Sequence, residues 1–198
     1  MNLRNKTHTD RWVTEESYRK NWKLRAIDLM NLFLENEYLE GSKYKIAEFG
    51  CGVYSPFHCL FDGKDGFEVQ KFDIKKWDAD TEILNFNVAK VSIPSVNIAV
   101  FSGVLEYVND VPNTLKNVME NSDFILMSYA FLPSAFFLDE DKYLSSIENR
   151  AVSHGWRNHY SNKDIVEMVS RIGVISAVGV WNKNQSLFLL RNYKIDKS

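Results

Sequence analysis

The residues of this sequence best suited to bind a ligand form a short glycine turn. Residues 46–56 read IAEFGCGVYSP, so an apolar, strand-like run ends in Gly50 and Gly52. Glycines allow the chain to turn sharply and a ligand to approach the backbone closely. Ser55 is suited to cap a following helix, and Pro56 then takes the first helical position. We expect a strand, a ligand-binding turn and a helix, in that order.

A carboxylate follows the next strand-like run. Asp73 comes directly after residues 67–72, about twenty residues beyond the turn, where an acidic residue binds ribose hydroxyls in dinucleotide folds. Parallel strands end at one edge of a sheet, so the turn and Asp73 are expected to lie side by side. Together they predict a nucleoside-binding crevice. The alternative is an ordinary strand-to-helix bend.

Two positions indicate which cofactor this crevice would hold. A dinucleotide site has a third glycine, whereas this chain has Ser55 there, and Glu48 lies just ahead of Gly50. A carboxylate at that place would repel a pyrophosphate and would suit a cofactor with an amino group and a sulfonium charge. The electrostatics therefore favour S-adenosylmethionine over NAD and disfavour an NAD-linked oxidoreductase.

A loop near the end of the chain is rich in residues that handle protons or bind substrates. Residues 153–160 read SHGWRNHY. Histidine is the base best matched to neutral pH, so His159 is the first candidate for a general base and His154 the second. The predicted acceptor contacts are Trp156, Arg157 and Tyr160, of which the arginine is suited to carboxylate or phosphate. The alternative is a pair of surface histidines beside a structural tryptophan.

The elements that must position these residues alternate along the chain. Apolar runs of strand length occupy residues 44–49, 67–72, 97–101 and 124–127, and the segments between them can hold crossover helices. This alternation is typical of an α/β domain with a mainly parallel sheet. A capped helix is predicted to begin after Ser161, and two closing strands, over residues 175–181 and 186–190, are predicted to form an antiparallel hairpin.

Composition and charge exclude several classes of protein. The chain has 198 residues, of which 45% are hydrophobic and 25% charged, as expected for one folded domain. A net charge of -2 argues against binding nucleic acid through bulk charge. Cys51 and Cys59, the two cysteines, indicate neither a zinc site nor a disulfide framework. No apolar run is long enough to cross a bilayer. A cytoplasmic protein without nucleic-acid or membrane partners is expected.

Three segments resemble the class I S-adenosylmethionine-dependent methyltransferases. Residues 48–52 look like the first motif of that family, residues 72–74 like the second, and residues 101–110 like the fourth strand and its turn. The resemblance covers roughly residues 40–192. It implies a Rossmann-like, seven-stranded, mostly parallel sheet with a C-terminal antiparallel hairpin and helices on both faces. The domain would span residues 41–198.

The resemblance also implies a place for the cofactor and a role for the N-terminal segment. S-adenosylmethionine would lie over the first, second and fourth strands, with the methionine portion near Glu48 and Gly50 and the ribose at Asp73. The candidate cofactor-binding residues are Glu48, Gly50, Cys51, Gly52, Asp73, Ile74, Asn87 and Ser102, the last near the methyl-transfer centre. Residues 1–40 would form a helical lid segment, in which Trp12, Tyr18, Trp22 and Arg25 either cover the cofactor or pack in the core.

The predicted acceptor depends on the residues after the fourth strand. Methyltransferases that act on the amines of nucleic-acid bases have an Asn/Asp-Pro-Pro-aromatic stretch there, whereas residues 101–104 of this chain read FSGV. A small molecule or a sugar hydroxyl, such as a glycan precursor, is the predicted acceptor, and a homodimer is the oligomer considered. The alternative to an active methyltransferase depends on Tyr54, because the resembling family usually has glycine at that position. A phenol at that position would narrow the cofactor pocket, and the chain would then be a degenerate fold that serves as a binding or scaffold subunit.

Overall fold

Seven strands form one mixed sheet in the computed structural model, which describes residues 16–37, 43–88, 91–133, 138–181 and 185–195. In chain order they are β1 (Tyr44–Phe49), β2 (Phe67–Asp73), β3 (Thr81–Ile83), β4 (Val96–Ser102), β5 (Ser122–Ala130), β6 (Val174–Trp181) and β7 (Gln185–Arg191). Their order across the sheet is β3-β2-β1-β4-β5-β7-β6. Strand β7 runs antiparallel to both of its neighbours, β5 and β6, and the other pairs of neighbouring strands are parallel. The predicted seven-stranded, mostly parallel sheet with a closing hairpin is confirmed.

Central strands are apolar on both faces because helices cover both sides of the sheet. In β4, Ile98 and Val100 belong to one core cluster, while Ala99 and Phe101 belong to the other. Such continuous apolar runs are typical of buried parallel strands. The short strand β3 was not predicted, since three residues show no readable alternation.

Five α-helices are described, and four of them divide between the two faces of the sheet. They are α1 (Glu16–Asn36), α2 (Pro56–Phe61), α3 (Val111–Met119), α4 (Glu140–Asn149) and α5 (Asn162–Val169). A 3-10 turn (Leu105–Tyr107) follows β4, and a π-helical turn (Arg150–His154) follows α4. Helices α1 and α2 pack on one face of the sheet, and α3 and α5 pack on the other. None of the described helices has both the length and the apolar character needed to cross a membrane.

Local signals in the sequence account for the start of α5. Ser161 accepts a hydrogen bond from the backbone N–H of Asp164, and the Asp164 carboxylate accepts one in return from the backbone N–H of Ser161. This reciprocal pair is a capping box, which satisfies N–H groups that the first turn of a helix leaves free. The predicted start of the helix is confirmed.

Helix α1 packs in the core, against the sheet. Ala26, Leu29, Met30 and Phe33 are buried, and their spacing of three or four residues places them on one side of the helix, against the sheet. Trp12 and the side chain of Tyr18 lie outside the described residues. The division into a lid segment over residues 1–40 and a domain over residues 41–198 stays a prediction.

Candidate cofactor and acceptor site

A cavity of about 440 Å³ opens beside the carboxyl ends of β1, β2 and β4. Its wall includes the glycine turn after β1, Asp73 at the end of β2 and Ser102 at the end of β4. The volume is within the range of small-molecule sites. Strand order reverses between β1 and β4, and ligands of open α/β sheets bind at such a switch point. The structure thus brings the glycine turn and Asp73 together at one cavity.

The glycine turn requires residues without side chains. Gly50 and Gly52 have φ angles of 65° and 60°, in the left-handed region that favours glycine. A Cβ at Gly50 would lie 2.3 Å from Cγ2 of Val104, which follows β4. The N–H of Gly50 donates to the carbonyl of Phe72, at 2.7 Å, and so bends the turn toward β2. The turn is therefore packed tightly between the two strands that flank β1.

Asp73 is fixed against this turn by hydrogen bonds to both of its oxygens. Oδ2 accepts from the N–H of Gly52 at 2.9 Å, and Oδ1 accepts from the N–H of Lys75 at 3.2 Å. The carboxyl group is buried and lies in the cavity wall. Each carboxylate oxygen can accept more than one hydrogen bond, so both retain capacity for ribose hydroxyls. The geometry suits the predicted ribose contact.

Glu48 has a structural task that the sequence did not reveal. Its Oε1 and Oε2 accept from the N–H groups of Phe57 and His58, at 3.0 and 3.1 Å, and so cap α2. Ser55 precedes the helix as predicted, but its side chain makes no capping hydrogen bond. Burial raises the pKa of Glu48 to about 8, so at neutral pH the group is mostly protonated. Glu48 therefore carries less negative charge than the argument against a pyrophosphate ligand assumed.

Cys51 and Ile74 also line the cavity, but Cys51 is buried and Ile74 is exposed. Cys51 is buried inside the glycine turn, and burial raises the pKa of its thiol to about 12. The thiol is therefore neutral and acts as a small apolar filler. Ile74 is more than half exposed, which places it at the rim.

Asn87 lines the cavity, but both ends of its carboxamide are already engaged. Nδ2 donates to the carbonyl of Tyr107 at 3.0 Å, and Oδ1 accepts from the N–H of Asn109 at 2.7 Å. The side chain thus holds the loop that follows β4. Its predicted contact with adenine stays a prediction.

Helix α1 contributes two residues to the cavity wall. Arg25 donates from Nε to Oγ of Ser102, at 2.9 Å, and from Nη2 to the Ser102 carbonyl, at 2.8 Å. Trp22 lies in the wall on the same side, with its ring 5.8 Å from that of Tyr54. Tyr54 is not among the residues that form the wall. Its phenol points toward α1 and leaves the cavity open.

The two candidate histidines occupy different environments. His154 lies in the cavity wall, with its ring 5.3 Å from that of Trp156. His159 lies outside the wall, and its Nδ1 is buried without a hydrogen-bond partner among the described residues. Burial and then the charge of Arg150 lower the pKa of His159 below its ordinary value. The structure thus brings His154 to the site and leaves His159 behind it.

The predicted acceptor contacts divide in the same way. Trp156 and Arg157 line the cavity, and each is tied to the loop after β4: Nε1 of Trp156 donates to the Tyr107 hydroxyl, and Arg157 donates to Oδ1 of Asn109. Tyr160 is not part of this wall and packs against the core on the α3 and α5 face.

Sequence analysis overlooked Asn158, which anchors this loop. Its buried Nδ2 donates to the carbonyls of Leu105 and Val108, at 2.7 and 2.8 Å, and its Oδ1 accepts from the hydroxyl of Tyr129. One amide therefore joins the loop to the turn after β4 and to β5. Residues 154–157, which precede it, are thereby held at the cavity.

Glu106 was overlooked as well, although a lone acid in the apolar run 104–108 was a signal. Its side chain is buried in the cavity wall, and Oε1 accepts from the N–H of Ala130 at 2.9 Å. Oε2 is buried and has no hydrogen-bond partner among the described residues. Burial raises the pKa of Glu106, against the opposing effects of Arg25 and Arg150. An unsatisfied buried carboxylate oxygen in a cavity wall is a site for a ligand donor.

No protein-family model matches the sequence, and no curated protein matches it either. Solved structures do match. The CurJ carbon methyltransferase aligns with a TM-score of 0.59 and 13% identity over 85% of this chain and 54% of its own. The PH0226 protein from Pyrococcus horikoshii OT3 aligns with a TM-score of 0.59 and 13% identity over 91% of this chain and 93% of its own.

A third solved structure contains the demethylated cofactor. CalO1, a methyltransferase in calicheamicin biosynthesis in its S-adenosylhomocysteine-bound form, aligns with a TM-score of 0.51 and 11% identity, over 84% of this chain. The chain spans 53% of the length of CalO1 and 54% of that of CurJ. These likenesses and the sheet order assign the chain the class I methyltransferase fold.

Alanine at Gly50 is expected to destabilise the protein more than alanine at Gly63. Both glycines have positive φ, but a Cβ at Gly63 would have nothing within 4 Å, whereas one at Gly50 would meet Val104. We expect a loss of about 1–2 kcal/mol from Gly63→Ala, and about 1–3 kcal/mol more from Gly50→Ala. Urea unfolding of the two variants measures the difference. Equal losses would contradict the tight packing of the turn.

Glu48→Gln is expected to change how stability depends on pH. The pKa of Glu48 is raised from 4.5 to about 8, so between these values the folded protein holds a proton that the unfolded chain has lost. Its contribution therefore lowers the free energy of unfolding as pH rises through this window. Urea unfolding at several pH values from 5 to 8 should give a shallower decline for Glu48→Gln than for the unchanged protein. Parallel pH profiles would show that Glu48 titrates normally.

Proposed function

We propose that the protein is an S-adenosylmethionine-dependent methyltransferase that acts on a hydroxyl of a small molecule or sugar, such as a glycan precursor. The observation that carries this proposal is the hydrogen bond between Asp73 and Gly52 in the wall of a cavity at the strand switch point. This arrangement joins a carboxylate suited to ribose with a backbone that a ligand can approach closely.

The residues present fit the proposed cofactor. Asp73 retains acceptor capacity for the two ribose hydroxyls, and Ile74 offers an apolar surface at the rim. A Cβ at Gly52 would have only the Trp22 ring, at 3.7 Å, within 4 Å among the described residues, so a ligand can approach the backbone there. When bound, S-adenosylmethionine supplies an electrophilic methyl group on a sulfonium. The chain's own task is to align an acceptor with that methyl group, because in-line displacement depends on proximity and orientation.

A hydroxyl acceptor also requires a group that takes its proton. His154 is the one predicted histidine in the cavity wall, and Glu106 is a second candidate there. We favour Glu106 for this role because it lies in the cavity wall and its Oε2 has no hydrogen-bond partner among the described residues. The acceptor oxygen would form a bond to the methyl carbon as the carbon–sulfur bond breaks, and its proton would pass to Oε2.

The remaining parts of the proposal concern partners and location. We infer a small-molecule acceptor, with Trp156 and Arg157 as contacts, because both line the cavity and a net charge of -2 offers no bulk attraction to nucleic acid. A cytoplasmic enzyme without membrane partners, acting as a monomer or homodimer, is proposed. The non-catalytic scaffold alternative loses its main support, since Tyr54 lies outside the cavity wall.

Calorimetric titration with S-adenosylmethionine and, separately, S-adenosylhomocysteine tests the proposed cofactor. We expect both to bind, and Asp73→Asn to weaken binding by about 1–3 kcal/mol through lost hydrogen bonds to ribose. Asp80→Asn is the matched control, because Asp80 is exposed and outside the cavity wall. If folded protein binds neither compound, the proposed function is wrong. Binding that Asp73→Asn leaves unchanged would place the ribose elsewhere.

Turnover with labelled methyl donor and a panel of hydroxylated acceptors tests the base. Glu106→Gln should lower the rate about 10²–10⁴-fold while leaving the affinity for S-adenosylhomocysteine unchanged. His154→Gln and His159→Ala are the comparison variants, and we expect smaller losses from both. A large loss confined to His154→Gln or His159→Ala would instead assign proton transfer to that histidine.

A further inference from the structure

Gln185 is a buried carboxamide in the cavity wall, and its hydrogen bonds are few and long. It is 7% exposed. Its Oε1 accepts from Nη1 of Arg25, and its Nε2 donates to Oγ of Ser128, both at 3.4 Å, which is beyond the usual range. A carboxamide offers two N–H donors and two acceptor lone pairs, so half of this capacity is unused among the described residues. Because burying an unsatisfied polar group is costly, a ligand in the cavity is suited to complete it.

Gln185 lies beside Glu106, since both residues are joined to Ala130. In the antiparallel ladder Gln185 of β7 is the partner of Ala130, the last residue of β5. The N–H of Ala130 donates to Oε1 of Glu106 at 2.9 Å, and Oε2 is buried without a hydrogen-bond partner among the described residues. We call the part of the cavity at Glu106, Ala130 and Gln185 the β5–β7 corner. It has two neighbouring polar groups, a carboxylate oxygen and a carboxamide, that are poorly satisfied.

The β5–β7 corner is far from Asp73 along the edge of the sheet. The strand order is β2-β1-β4-β5-β7, with Asp73 at the end of β2 and Gln185 at the start of β7. Strand β7 is antiparallel, so its first residue reaches the edge at which the parallel strands end. Neighbouring strands are about 4.8 Å apart, so four spacings, or about 19 Å, separate β2 from β7. If the proposed cofactor extends from Asp73 toward Ser102, at the end of β4, this corner remains for the acceptor.

Two hydroxyl groups on neighbouring carbon atoms match the β5–β7 corner. A hydroxyl both donates and accepts, and so does a carboxamide, whereas a carboxylate oxygen only accepts. One hydroxyl can donate to Oε2 of Glu106 while the second exchanges hydrogen bonds with Gln185. A single hydroxyl would leave one of the two groups unsatisfied. Sites built to bind a hydroxyl discriminate against analogues that lack it, because the buried polar group of the protein is then left without a partner.

We propose that Gln185 is a specificity-determining residue that binds a second hydroxyl of the acceptor, next to the hydroxyl that is methylated. The acceptor is then a vicinal diol, a group that sugars contain. This inference rests on the proposed function, in which Glu106 takes the proton of the methylated hydroxyl. By holding the neighbouring hydroxyl, Gln185 orients the acceptor, so that one oxygen and not the other faces the methyl donor.

Ligand-observed NMR titration of the protein saturated with S-adenosylhomocysteine tests the proposal. The probes are cis-cyclohexane-1,2-diol, cyclohexane-1,4-diol, which has the same hydroxyls at a different spacing, and cyclohexanol. We expect the unchanged protein to bind the 1,2-diol about 3–10-fold more tightly than either of the others, because only the 1,2-diol can reach Glu106 and Gln185 together. Equal affinities for the three probes, or no binding of the 1,2-diol, would overturn the proposal.

Gln185→Met keeps the length of the side chain and removes its polar atoms. It should bring the affinity for the 1,2-diol to within about twofold of that for cyclohexanol, and it should leave the affinities for cyclohexanol and S-adenosylhomocysteine unchanged. Gln70→Met, the same exchange at a half-buried residue outside the cavity wall, should alter none of these affinities. Equal losses for the 1,2-diol and cyclohexanol in Gln185→Met would show that the glutamine only maintains the fold, and they too would overturn the proposal.

The same titrations without S-adenosylhomocysteine separate this inference from the proposed function. If folded protein binds no S-adenosylhomocysteine, the proposed function fails, but the preference for the 1,2-diol is still measured. A preference that Gln185→Met abolishes would support a diol site in the β5–β7 corner. A preference that the variant leaves unchanged would place the diol elsewhere and overturn the proposal. If Gln185→Met does not fold, the comparison of the three probes on the unchanged protein decides.

Discussion

The approach of the glycine turn to the loop after β4 determines the shape of the cavity. A Cβ at Gly50 would lie 2.3 Å from Cγ2 of Val104, so the two segments can pack together only where the turn has no side chain. Because they do pack together, the residues that follow β4 face the same space as the turn that follows β1. Ser102 and Glu106 reach the cavity wall in this way. The identity of one residue therefore controls whether two distant parts of the chain form one site.

Glu48, Glu106 and Arg25 are buried ionisable side chains in the wall of this cavity, and their desolvation is offset to different degrees. Glu48 receives two helix N–H donors, Glu106 receives one backbone N–H, and Arg25 receives only neutral acceptors. Unpaired charges in a protein interior cost several kcal/mol each. The least satisfied groups, Arg25 and Oε2 of Glu106, lie in the wall of the same cavity. A ligand with both a carboxylate and a hydrogen-bond donor would satisfy them, whereas an apolar ligand would leave both uncompensated.

The features that the sequence predicts correctly are those that local spacing determines. The positions of the longer strands, the glycine turn, Asp73 at the end of a strand and the capped last helix all follow from residues close together in the chain, whereas the seven-stranded sheet follows from the resemblance to a known family. The direction of a side chain within a loop cannot be predicted from local spacing, because it depends on partners far away in the sequence. Asn158 donates to carbonyls that lie 53 and 50 positions earlier in the chain. This anchor holds the loop so that His154 lines the cavity, while Tyr160 packs against the core. Tyr54 likewise turns toward α1 through a ring contact that no spacing predicts.

The position of α1 limits how the cavity can open. Leu29 and Phe33 are buried against the sheet, while Trp22 and Arg25, one or two turns earlier on the same helix, line the cavity. Moving the whole helix away would expose the apolar face of its second half, and that exposure is unfavourable. Any movement that admits a ligand must therefore leave residues 26–33 in place. Trp22 and Arg25 would then line the cavity from a helix that stays in place.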